Sequence, residues 1–82
     1  MKKTKEQLFD IIADGKNEEA VEFLLQEDQA KGGKHQLKLL SFKKGYKSLT
    51  KDNYPNYEDL IDRWIIITQE LITWINENYS AL

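Results

Sequence analysis

The chain has 82 residues, a formal net charge of −2, no cysteine and one proline, with 40% aliphatic and aromatic residues and 32% charged ones. That length supports one domain with a modest core, and the missing cysteines exclude both disulfides and a thiolate metal site. The small net charge conceals a strong segregation: Lys31 to Lys51 holds seven lysines and no carboxylate, Glu6 to Asp28 holds eight carboxylates against Lys16 alone, and Asp52 to Leu82 holds six against Arg63 alone.

The start, MKKTKEQLFDII, has a basic opening, but Glu6, Asp10 and Asp14 interrupt any apolar core of a signal peptide. Thr4 is placed to cap a first helix, with Gln7 three residues on as in a capping box. Leu8, Phe9, Ile11 and Ile12 give that helix one apolar face, and Asp14-Gly15 ends it. Asn17 reads as the cap of the second helix, with Glu18 and Glu19 in its first turn, where the helix dipole favours negative charge. Ala20, Val21, Leu24 and Leu25 form its buried stripe, so the first two helices make a tight hairpin.

Gly32-Gly33 separates this hairpin from the basic segment. A third helix spans His35 to about Leu49. At about 100° per residue, Leu39, Phe42, Tyr46 and Leu49 share one side while Lys43, Lys44, Lys47 and Lys51 lie roughly opposite. Gly45 is a weak point in this helix. Pro55 disfavours helix at Tyr54, and Asn56 caps a last helix from Tyr57 to about Asn78. Along it, Leu60, Ile61, Trp64, Ile67, Thr68, Leu71, Trp74 and Ile75 recur at steps of one, three and four. So wide an apolar face predicts a central helix covered by several neighbours. The longest apolar run, Trp64 to Ile67, is far too short to span a bilayer.

These elements predict an all-α fold: a single domain over 1–82, a small bundle of about four helices with a long C-terminal one. No catalytic, cofactor-binding or metal-binding residue is assigned. His35 is the only histidine and is read as exposed near a helix start. Gly32-Gly33-Lys34 lacks the spacing of a phosphate-binding loop, and no serine has a histidine partner in a nucleophile motif. The expected activity is protein binding. Lys43, Lys44, Lys47 and Lys51 would meet an acidic face, either Glu18, Glu19 and Glu22 on the second helix or Asp59, Asp62 and Glu70 on the last. Because this chain supplies both signs, the partner is expected to be a like helical domain, with weak self-association of the chain itself. Ile66 and Trp74 are the candidate apolar anchors. Nucleic acid is the less favoured partner, since arginine is nearly absent and the aromatics are assigned to the core.

Two stretches carry a resemblance. The segment from Leu8 to Leu25, with its Asp14-Gly15-Lys16 turn and Glu18-Glu19-Ala20 helix start, resembles the opening hairpin of bacterial effector-associated domains, especially the class numbered eleven. The later frame, Leu39-Leu40-Ser41 followed by Asn56-Tyr57-Glu58-Asp59 opening a long helix, is similar to the same class. The middle helix departs from that class in being lysine-rich and free of acids. The resemblance implies a death-like helical adaptor without catalytic residues, and the lack of cysteine fits a reducing cytoplasm. Such adaptors join sensors, commonly nucleotide-binding ATPases, to effectors in bacterial conflict systems by domain-to-domain pairing. Two alternatives remain: a small nucleic-acid-binding protein using Lys31 to Lys51, or a free-standing inhibitor of the immunity type.

Overall fold

The computed structural model describes residues 2–81, with side chains described for 2–80. Among them are four α-helices: α1 (Lys5–Ala13), α2 (Asn17–Ala30), α3 (Gln36–Lys47) and α4 (Tyr57–Asn78). A 3-10 turn (Tyr79–Ala81) follows α4, and no strand is present among the described residues. The packed pairs are α1–α2, α2–α3, α3–α4 and α4–α1, so the helices close a ring around one core.

The local chemistry sets the helix limits. Thr4 Oγ1 accepts the Gln7 amide while Gln7 Oε1 accepts the Thr4 amide, completing the predicted capping box. Beyond α1, Gly15 turns the chain with φ of 79°. The Lys16 amide then reaches Ile11 O and the Gly15 amide Ile12 O, which satisfies carbonyls the helix leaves open. The same device ends α2: the Gly33 amide reaches Asp28 O and the Gly32 amide Gln29 O. Asn56 Oδ1 caps α4 through the Glu58 amide at 2.8 Å, as its position predicts.

The core collects Leu8 and Ile12 from α1, the predicted stripe of α2, Leu39, Phe42 and Tyr46 from α3, and Leu71 and Ile75 from α4. The ends of the chain meet on one side. The Lys5 ammonium donates to Asn76 O at 3.0 Å, and the buried Tyr79 donates its hydroxyl to Lys3 O. Gly45 does not break α3. A Cβ there would come within 3.2 Å of Ile67 Cδ1, so the glycine lets α3 and α4 approach closely.

Two expectations change. Asn17 is not the cap of α2. Lys16 holds the cap position without a side-chain hydrogen bond, and Asn17 turns inward. Nor is α4 covered along its length. Its buried residues, Ile67, Thr68, Leu71, Trp74 and Ile75, all lie from its eleventh residue onward; Leu60 and Trp64 are half-buried, and Tyr57, Ile61 and Ile65 are exposed. The reason is length. At 1.5 Å per residue α4 runs about 33 Å, against about 13 to 21 Å for the other three helices. The apolar face therefore continues past the helices that could cover it.

Candidate partner-binding faces

The charged side chains proposed for docking divide into those spent inside the molecule and those left in water. Lys43 and Glu22 form an ion pair between α3 and α2, at 2.5 Å, with both side chains partly exposed. One lysine of the expected basic face and one glutamate of the expected acidic face thus neutralise each other within the domain. An exposed pair of this kind contributes about 0–1 kcal/mol. Lys44, Lys47 and Lys51 stay exposed, as do Glu18 and Glu19.

The two apolar anchors differ. Ile66 is 44% exposed, whereas Trp74 is 7% exposed and packs edge-on to His35 with ring centroids 5.4 Å apart. Trp74 therefore belongs to the core, and its ring is not free to project into a partner. Both residues line one shallow groove between α3 and α4, together with Lys38, Glu70 and Glu77. His35, expected in solvent, is half-buried and holds the cap position of α3.

Two buried polar clusters escaped the sequence reading. In the first, Asn17 Nδ2 donates to Tyr46 Oη at 3.0 Å and to Thr68 Oγ1 at 2.8 Å. The two hydroxyls lie 2.9 Å apart, which ties α2, α3 and α4 at one point. Asn17 Oδ1 has no protein partner. In the second, Asp28 is 1% exposed and accepts the His35 amide and the Gln36 side-chain amide, binding the end of α2 to the start of α3. The polar identity of Asn17 suggests a cap, and nothing in the local sequence around Asn17 or Asp28 reveals their partners.

Burial pushes the Tyr46 hydroxyl above its ordinary pKa of 10.0, with the hydrogen bonds to Thr68 and Asn17 pulling it partly back. Tyr79 is raised by burial and then by the Glu27 carboxylate. A folded pKa above the unfolded one means the unfolded chain loses its proton first. The stabilisation is complete below the unfolded value and is lost as pH rises through the folded one. Urea midpoints are therefore expected to hold steady to about pH 10 and to fall above it. Tyr46→Phe combined with Tyr79→Phe should flatten that fall; an unchanged alkaline slope in the double variant would exclude these hydroxyls as its source.

The outer face of α3 carries what the charge pattern alone did not single out. Leu37 is 86% exposed and Leu40 is 44% exposed. At about 100° per residue, Leu37, Leu40, Lys44 and Lys47 share the side opposite Leu39, Phe42 and Tyr46. The same helical wheel that placed the lysines could have found these leucines.

Among the described residues no three histidine or carboxylate side chains gather as a metal site would require, and no helix is long and apolar enough to cross a membrane. No protein-family model, curated protein or solved structure matches this chain.

Proposed function

We propose that this chain is a non-catalytic protein-interaction domain, an adaptor that couples a sensor to an effector in a bacterial conflict system through domain-to-domain pairing. The observation that carries the reading is the outer face of α3: two exposed leucines among exposed lysines, in a segment without a single carboxylate. Leucines left in water gain nothing for the fold, and apolar residues held on a charged surface are the usual composition of a contact that forms and dissolves. The flanking lysines orient an acidic partner and speed its encounter, while Leu37 and Leu40 supply the area that is buried. The family resemblance supports the coupling role.

Nucleic acid fits this face less well. Phe42 and Tyr46, the aromatic side chains of α3, are buried, so no ring is offered for base stacking and only phosphate contacts remain.

Co-expression with the helical domains encoded by adjoining genes tests the reading. A stable complex is expected with one of them. The Lys44→Glu, Lys47→Glu double variant should bind that partner about tenfold more weakly, since each rim charge is worth up to about 1 kcal/mol, with far-UV circular dichroism unchanged. Normal binding by the double variant would remove the face from the contact. A shift of random duplex DNA, fading steeply with salt, would favour the phosphate-binding alternative.

A further inference from the structure

We infer that the partly exposed N-terminal half of α4 is the seat for the α3 face of a second copy of this chain, so that copies join head to tail. The inference rests on the reading of α3 as a docking face and supplies the surface it docks on.

Among the described residues, the six exposed large apolar ones fall into a simple pattern. Leu37 and Leu40 lie on α3; Tyr57, Ile61, Ile65 and Ile66 lie in the first ten residues of α4. Ile61 and Ile65 continue toward Thr68 and Ile72 at steps of four, three and four, so they extend the side of α4 that is buried farther along. Thr68 is held there by Asn17 and by Tyr46, where α4 meets the start of α2 and the end of α3. α1 ends at Ala13, and past that point the stripe is partly open, with Ile61 37% and Ile65 41% exposed. It is an interior-type face left outside.

The charges around the two patches are opposite. Lys34, Lys44 and Lys47 surround Leu37 and Leu40. Around the α4 stripe lie Glu58 and Asp62 on the helix itself. Glu18 and Glu19 line the same groove as Leu60 and Trp64. Lys16 also lines that groove, and Arg63 falls on the far side of α4 from Ile61 at about 100° per residue. A surface with an apolar centre and an acidic rim therefore needs a partner with an apolar centre and a basic rim, and α3 of another copy is one.

The same molecule cannot satisfy itself. Within the domain α4 meets α3 through Ile67, opposite Gly45, through the Tyr46–Thr68 hydroxyl pair, and through the groove that Trp74 and Lys38 line. The outward face of α3 lies opposite its core residues Leu39, Phe42 and Tyr46, so it is turned away from the interior of its own molecule. Such a heterologous contact leaves a free face at each end and does not close at two copies. The patches are small, so each junction is weak and loosens with salt.

Two variants of the full chain separate the faces: Leu37→Ser with Leu40→Ser, and Ile61→Ser with Ile65→Ser. The substituted side chains are exposed, and circular dichroism with urea unfolding confirms that each variant folds. In sedimentation at low salt and high protein concentration, the parent chain is expected to grow beyond dimers, and less so as salt is raised. Each variant alone should remain monomeric. Their equimolar mixture should recover one junction, from the intact α4 face of the first and the intact α3 face of the second, and stop at a dimer. A parent chain that stays monomeric overturns self-pairing, while the α3 reading still stands or falls on its complex with the adjoining-gene partner. Association lost in the α4 variant but kept in the α3 variant overturns the head-to-tail arrangement in favour of α4 packing on α4. Two monomeric variants that fail to recover a dimer on mixing overturn it as well.

Discussion

Leu71→Ala is expected to cost about 2–5 kcal/mol, measured as a drop in the urea midpoint. Leu71 is 0% exposed and lies in the covered half of α4, within the one core cluster. Truncation removes its transfer energy and leaves a cavity that the ring of four helices cannot fully close. A domain of this size is stable by about 4–12 kcal/mol, from about 0.05–0.15 kcal/mol per residue, so the variant will lie near its unfolding threshold. Leu37→Ala is the control. The same chemical change at an 86% exposed site should fall within about 0.5 kcal/mol of the parent. If both substitutions have equal effects, the assignment of inner and outer faces is wrong. The contrast also carries a functional statement, because a leucine that is neutral for stability but needed for assembly belongs to a partner.

The helices were legible because short-range chemistry specifies them. Thr4 with Gln7, Gly15, Gly32-Gly33 and Asn56 act within five residues, and each does in the structure what its position predicts. The apolar periodicity of α4 was equally legible, but periodicity reports which side is apolar and not whether anything covers it. Coverage depends on the lengths of α1, α2 and α3 and where each of them stops. That is why Ile61 was expected in the core and is exposed, and why Trp74, offered as an anchor, is buried against His35. Charge segregation was likewise visible at once, yet which lysine is spent internally was not. Lys43 and Glu22 are 21 residues apart in sequence and meet only because α2 packs on α3. The polar links of Asn17 to Tyr46 and Thr68 span 29 and 51 residues, beyond the reach of any local pattern.

Asp28→Ala is the second large effect expected, and it joins stability to the docking face. The Asp28 carboxylate accepts the His35 amide at 3.1 and 3.0 Å and the Gln36 side-chain amide at 2.9 Å, all from a site that is 1% exposed. His35 caps α3 without a side-chain hydrogen bond of its own, so the carboxylate serves the start of that helix from a distance and sets negative charge against its positive end. Hydrogen bonds to a charged acceptor are worth about 1.5–3 kcal/mol, and the alanine variant leaves buried donors without a partner. A loss of about that size is expected in urea unfolding. Asp28→Asn, which keeps the shape and one acceptor, should lose less. The local signature is faster amide hydrogen exchange at His35 and through the first turn of α3, ahead of the Leu71 region. Because Lys34 and Leu37 flank that turn, loosening it should also weaken partner binding, although neither residue has been altered. An Asp28→Ala variant within about 0.5 kcal/mol of the parent, with unchanged exchange at His35, would show that α3 is held by its core leucines alone. The docking face would then owe its geometry to packing and not to this carboxylate.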